Sequence, residues 1–412
     1  TLFYLGQTLR EMGRHVEAIA MYERRIALGG WDQEMWYSRY MVALCHQALN
    51  DPGRFMMSCL EAYNMRPTRA EPLHTLADHH RLNGRHDTCA MLAEVGLVMP
   101  IPDDILFVHE SIYRTGFKML MSISGWYSSR PERKARGRAF NAELTIDRET
   151  PFHQRHLARA NWRWYALTCD TLFGPVRFSP LSPPLPAGYH PCNPSLTTRE
   201  GEIWCVVRGV NYVQENGRYT AYDGVIRTTN RLARLDADLA LCDVAEIVDD
   251  SPYSIDTTEA PHVVGLEDVR IVVLRWNEKT RQCDEWRRHA CAIALEHQRG
   301  SSGLIRFDDG WLCVTHEVSY RDSDASTRVY LHRFVHLDET FRVRATTEAF
   351  YFRHIGIEFC AGLVAGPAKG LGADELLLSF GVNDGEAWLV VIGADAVRRQ
   401  LQPVMDITDP AR

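Results

Sequence analysis

The run EIWCVVRG, Glu202–Gly209, is short, apolar and rich in β-branched residues, with Gly201 immediately before it. A run this short reads as a strand when turn residues bound it and others like it follow. They do follow, as VRIVVLRW (Val269–Trp276), HACAIAL (His289–Leu295), WLCVTHEV (Trp311–Val318), RVYLHRFV (Arg328–Val335), ELLLSFGV (Glu375–Val382) and AWLVVIG (Ala387–Gly393). Ahead of them PVRFSPLSPPLPAGYHPCNPS, Pro175–Ser195, is proline-rich and extended. Many short strands at regular spacing predict an antiparallel all-β fold from Gly174 to about Val391. Roughly 225 residues of this texture supply five blades of about 45 each, the usual size in a β-propeller.

Toward the N-terminus the period becomes helical. LGQTLREMGRHVEAIAMYERRIAL, Leu5–Leu28, carries Leu5, Leu9, Ala18, Tyr22 and Ile26 on one face, with Gly13 at a turn between two helices. LADHHRLNGRHDTCAMLAEVGLVMP, Leu76–Pro100, repeats the unit with Gly84 in the part of Gly13, and an intervening unit turns near Asp51, Pro52 and Gly53. The spacing is about two periods of 34 to 35 residues, and the units resemble tetratricopeptide repeats, hairpins that stack because none buries its apolar face alone. The expected chain is therefore an α + β multidomain protein. It comprises a tetratricopeptide-like array over 1–102, a helical extension over 103–173 and a five-bladed β-propeller over 174–412. Within the extension SSRPERKARGRAFN, Ser128–Asn141, reads as a basic polar loop or helix end.

Composition removes several classes of function. The net charge of -7 has both signs interspersed, and no basic stripe alternates with aromatics, so nucleic acid is not the expected partner. The 11 cysteines are scattered, odd in number and never spaced C-x-x-C, which predicts a reducing, cytoplasmic setting and no structural zinc. No apolar run reaches the roughly 18 to 20 residues of a membrane helix. The chain starts at Thr1 inside an apparent helix, so it is expected to be a piece of something longer.

GLEDVR, Gly265–Arg270, feeds two carboxylates and a guanidinium into the start of an apolar run. Charges placed there must be paired or used. Together with three other segments it gives the β half a family resemblance. NPS at Asn193–Ser195 with GEIWCVVRG, then GLEDVR, then SSGLIRFDDGWLCVTHE (Ser301–Glu317), then LLLSFGVNDGEAWL (Leu376–Leu389) are similar, in order, to segments of the mannoside phosphorylases. That glycoside hydrolase family has five-bladed propellers and includes hydrolases and related mannosyltransferases. Val269 stands where the family has proline, and Glu317 follows His316 where it has glycine. A propeller of this kind after such repeats also resembles the downstream part of bacterial proteins that begin with a family-two-like glycosyltransferase domain.

The resemblance implies that Asp268 is the general acid and that His316 contacts phosphate. In a propeller the innermost strands line one funnel, where Asn193, Arg208, Arg270, His316, Glu358 and Asp384 would join Asp268 around a sugar. Other readings stand beside these. Glu267, Asp268 and Arg270 can form an interblade ion pair, His316 can be a core histidine, Glu358 a strand-edge salt bridge and Asp384 a hairpin turn residue. Period-two alternation puts His316 and Glu317 on opposite faces, and Asp268 with Arg270 opposite Glu267. Trp31, Trp36, Trp162 and Trp164 read as core.

No nucleotide-binding glycine loop, metalloprotease motif or nucleophile elbow is present, and no cofactor or metal is expected. The expectation is a carbohydrate-active protein making or breaking a bond to a mannose-like hexose with phosphate or a sugar phosphate. The alternative is a non-catalytic glycan-binding and scaffolding module of a larger glycosyltransferase, with the repeats docking a protein partner.

Overall fold

The computed structural model describes residues 2–215, 218–221, 224–248, 263–264, 276–277, 282–283, 297–320 and 328–404. GLEDVR, with Glu267, Asp268 and Arg270, lies outside the described residues, as do all of HACAIAL and nearly all of VRIVVLRW. The chain divides into two compact units, residues 1–161 and 162–412.

The first unit is a succession of antiparallel helix pairs. α1 (Leu2–Glu11) pairs with α2 (His15–Ala27), α3 (Asp32–Ala48) with α4 (Pro52–Met65), and α5 (Glu71–Leu82) with α6 (His86–Gly96). Gly13 and Gly84 hold φ of 76° and 68°, the left-handed turn that a side chain resists. The middle turn ends at Asp51: Asn50 takes the left-handed conformation, Asp51 accepts from the Arg54 N–H at 3.1 Å, and Pro52 starts α4. The expected apolar face needs a correction, since Leu5 is exposed while Phe3, Gly6 and Leu9 face inward. A Cβ on Gly6 would stand 2.8 Å from the Tyr22 ring, so the close α1–α2 crossing requires glycine.

A five-residue π-turn, Ile112–Gly116, leads into α7 (Phe117–Tyr127), followed by α8 (Pro131–Ile146) and α9 (Phe152–Tyr165). The stretch read as a loop or helix end is thus mostly α8. Pro131 starts it, and the buried Arg133 holds it by bonding Glu94 at 2.8 and 3.0 Å. Of the four tryptophans read as core, Trp36 and Trp162 are buried whereas Trp31 and Trp164 are exposed.

Among the described residues the second unit is built on three mainly antiparallel sheets. One runs in chain order through His190–Arg199, Glu202–Val210, Ile226–Leu235 and Leu241–Ile247. The second centres on Gly310–Tyr320 paired with Arg328–Asp338, flanked by short strands including Arg299–Gly300 and Val343–Thr346. The third is Glu358–Ala365, Glu375–Val382 and Glu386–Gly393, and its outer edge is completed by Arg177–Leu181 from the start of the unit. Bringing an early strand to the last sheet covers an edge that would otherwise stay open to solvent.

The third sheet has apolar residues on both faces. Leu377 and Leu389 pack with Ile203 and Val207 of the first sheet, and Phe380 packs with Phe334, Phe350 and Phe352 from the second sheet and the segment after it. The Phe352 and Phe380 rings stack at 4.2 Å with planes 11° apart. Each fully buried phenylalanine contributes about 1.5–3 kcal/mol. The polar residues that remain inside are therefore held at fixed positions by a packed frame.

Candidate functional site

A cavity of about 380 Å³ opens where the three sheets meet. The first sheet supplies Asn193 and Arg208, the second Arg299, His316, Arg328 and Tyr330, the third Phe359 and Asp384, with Ile357 just ahead of it. A hairpin, Tyr212–Glu215 with Arg218–Ala221, adds Tyr212 and Tyr219.

Asn193 reaches the cavity through an irregularity in its strand. The pairing of His190–Arg199 with Glu202–Val210 shifts register between Cys192 and Ser195, and Asn193 sits at φ 44°. Such a bulge re-aims a side chain that regular alternation would place elsewhere. The bulge is pinned from the third sheet, where Ser379 Oγ donates to the Pro194 carbonyl. Gly381 lets the backbones touch, because a Cβ there would stand 2.7 Å from the Asn193 nitrogen.

Arg208, on the neighbouring strand, is buried at 4% exposure and its Nε donates to Thr228 Oγ1 at 3.0 Å. Among the described lining residues are three arginines, Arg208, Arg299 and Arg328, and one aspartate, Asp384.

His316 is buried at 4% exposure with Nδ1 2.7 Å from Ser301 Oγ, so the ring cannot turn freely. Its faces are also fixed: Tyr330 stacks on it at 5.3 Å and Phe359 meets it edge-on at 5.3 Å. The alternation read from the sequence holds here, since the neighbouring Glu317 accepts from Gln298 Nε2 at 3.1 Å. Below His316 lies His332, fully buried among Phe350 and Phe352, and burial first and His316 second push its pKa down to about 3. That ring stays neutral, packed behind His316.

Two of the lining phenols, the buried Tyr212 and the half-buried Tyr330, are held protonated. Burial pushes Tyr212 up, with Arg208 opposing and Asp384 adding to the rise. Burial likewise raises Tyr330, against Arg328 and with Asp384. Both can exchange hydrogen bonds with hydroxyl groups of a ligand.

Asp384 is at once a turn residue and a lining residue: Asn383 and Asp384 have φ of 50° and 51° in the connection between the last two long strands. Glu358 is different. It is fully buried, does not line the cavity, and accepts backbone N–H bonds from Phe352, Arg353 and His354 at 2.6, 2.8 and 2.9 Å. The salt bridge read for it is replaced by this nest of three amides, which ties down the segment ahead of its strand. Burial raises its pKa to about 7 against the pull of the amides.

Asn193, Arg208, His316 and Asp384 are thus brought together, Glu358 stands behind them, and Asp268 and Arg270 lie outside the described residues. Sequence reasoning missed Tyr212, Tyr219, Arg299, Arg328, Tyr330 and Phe359. For two of these a signal existed, because Arg328, Tyr330 and His332 alternate along one strand and share a face. Among the described residues no group of three His, Cys, Asp or Glu side chains is placed to hold a metal ion, and no helix is long and apolar enough to cross a membrane.

No protein-family profile matches the sequence, and no curated protein matches it. Solved structures do match in three dimensions. The β-1,2-mannobiose phosphorylase of Listeria innocua, in complex with β-1,2-mannobiose, is 12% identical over 53% of this chain and 94% of its own, with a TM-score of 0.33. A structure from work on the GH130 family of mannoside phosphorylases, containing hydrolases that target β-1,2 mannosidic linkages in Candida mannan, is 11% identical over 56% of this chain and 97% of its own, at 0.27. A glycosyl hydrolase from Bacteroides ovatus is 11% identical over 53% and 87%, at 0.26. Identities and scores this low leave the chemistry to be argued from the cavity itself.

Proposed function

We propose that the cavity is a sugar site and that the protein makes or breaks a glycosidic bond to a mannose-like hexose, with phosphate or a sugar phosphate as co-substrate. The observation that carries this is the convergence of Asn193, Arg208, His316 and Asp384, from widely separated segments, on one cavity walled by Tyr212, Tyr219, Tyr330 and Phe359. Aromatic walls with a few fixed polar groups suit a sugar ring, whose faces are apolar and whose rim is hydroxyl.

In phosphorolysis a phosphate oxygen attacks the anomeric carbon, the bond from that carbon to the bridging oxygen breaks, and the departing oxygen takes a proton. Arg208, Arg299 and Arg328 suit the phosphate, with His316 as a further contact. The proton is assigned to the Asp268 carboxyl on the strength of the family resemblance of GLEDVR. Products are a sugar 1-phosphate and a free hydroxyl, and the reverse reaction extends an acceptor. In the same proposal residues 174–412 form a five-bladed propeller and the helix pairs of 1–102 a tetratricopeptide-like array.

A second reading, a glycan-binding module without chemistry, is favoured by Glu317. It is buried at 2% exposure where the resembling motif carries glycine, so the strand face behind His316 is packed differently. Asp268→Asn separates the two readings. Turnover present in the parent protein and abolished in a variant that still binds sugar supports the enzyme. Sugar binding by a parent that shows no turnover supports the binding module.

A further inference from the structure

The chain between α6 and α7 does not run over the surface as a solvated connection. Residues 104–109 lie against α1, α3 and α5 of the first unit, and side chains of the helical layer recognise their main chain. Gln33 Oε1 accepts from the N–H groups of Ile105 and Leu106 at 3.1 and 3.0 Å. Arg69 donates to the carbonyls of Leu106 and Phe107 at 3.0 and 2.9 Å, and Glu71 Oε1 accepts from the His109 N–H at 3.3 Å. Two side chains are read as well. Asp104 takes Arg66 at 2.7 Å and Arg69 at 3.1 Å, and the Phe107 ring lies 4.8 Å from Tyr37 and 6.5 Å from Phe3.

The receiving side is organised by contacts that do not involve this segment. Arg69, fully buried, is forked onto Glu71 at 2.8 and 3.0 Å and stacked over Trp36 at 3.9 Å, while Arg66 also holds Asp32 at 2.6 Å. The segment itself is unevenly seated: Asp104 and Leu106 are packed in, whereas Ile105 is 83% exposed, Phe107 is 46% exposed, and Phe107 sits at φ 46°, where a bulky residue is strained. Preformed donors and acceptors facing the backbone of a strained extended segment have the chemistry of a peptide groove.

We infer that the face of α1, α3 and α5, with the connection between α4 and α5, is a groove for an extended peptide carrying an acidic residue three places before an aromatic one, and that Asp104–Phe107 occupies it as an internal ligand. Short tethers on both sides give that ligand an effective concentration of about millimolar, so a free peptide at tens of micromolar does not displace it. A partner engages the helical unit only after this strap is released, which makes the segment a built-in lock on a docking surface.

The test uses the full chain with Asp104→Ser and Phe107→Ser together, and a fluorescein-labelled peptide of the protein's own residues 101–110. Fluorescence anisotropy is expected to show at least about a hundredfold tighter binding to the variant than to the parent protein. Gln33→Ala in the variant background is expected to weaken that binding. A folded variant that ignores the peptide, or a parent protein that binds it equally well, overturns the proposal. Should the double variant fail to fold, amide hydrogen exchange on the parent protein decides. The proposal requires the Ile105, Leu106 and His109 amides to exchange well before those of α3 and α5, and exchange only together with those helices contradicts it.

Discussion

The rings of His316 and Tyr330 lie face to face, 5.3 Å apart with planes 14° from parallel, and Tyr330 also lines the cavity. The stack fixes the edge of the imidazole that a ligand meets, while the Ser301 hydroxyl fixes its rotation.

Removing the stack should therefore weaken binding without emptying the site. Aromatic pairs of this kind contribute about 0.5–1.5 kcal/mol beyond area burial, which is roughly two- to tenfold in affinity. Tyr330→Ala is expected to lose that much for any sugar or phosphate that binds, measured by calorimetry. Tyr330→Phe should retain the packing and lose only what the hydroxyl contributes. Equal losses in the two variants would show that the phenol, not the stack, is what matters.

Gly381→Ala tests the bulge that aims Asn193. The new methyl would stand 2.7 Å from the Asn193 nitrogen, a distance that backbone atoms must move to relieve. Overpacking of this kind costs about 1–3 kcal/mol, read as a lower urea midpoint. Because the strain falls on Asn193, ligand affinity should fall as well, whereas a packing defect remote from the cavity would lower stability alone.

Glu358 gives a pH signature. Its carboxyl is shifted from 4.5 in the unfolded chain to about 7 by burial. Between those values the folded state keeps a proton that the unfolded state releases. The contribution is therefore full below the unfolded value and is lost as pH rises through the folded one. Glu358→Gln cannot titrate and accepts fewer of the three amide bonds, so it is less stable than the parent at pH 5. The gap should narrow by about 2–3 kcal/mol between pH 5 and 8, followed by urea unfolding at several pH values. A gap that stays constant over this range would mean that the amides keep Glu358 ionised throughout.

What could be read in advance follows the range of the interactions involved. Strand runs such as EIWCVVRG and helix turns such as Gly13 and Gly84 are set by local pattern, and they appear where the periods put them. The convergence of Asn193, Arg208, His316 and Asp384 was reachable through motif resemblance, since each sits in a motif of that resemblance. Tyr212 and Tyr219 were not reachable, because nothing local tells which hairpin lies beside the cavity. Glu358 reads from the sequence as a funnel residue or a salt-bridge partner and is neither, because its partners are backbone amides, which every residue carries and no sequence displays. The segment around Asp104 was read as part of a helical extension. Its partners Gln33 and Arg69 lie tens of residues away, so its extended course depends on a return of the chain that has no local mark.

The central claim is that this cavity handles a glycosidic bond with phosphate. ³¹P nuclear magnetic resonance of the protein with β-mannosides and inorganic phosphate, and in reverse with mannose 1-phosphate and acceptor sugars, follows both directions in one readout. The account predicts a sugar 1-phosphate resonance that grows with the parent protein, disappears with Asp268→Asn and is strongly reduced with Arg208→Ala. No phosphorus exchange in either direction, together with no detectable binding of mannosides or mannose 1-phosphate to the parent protein, would contradict it.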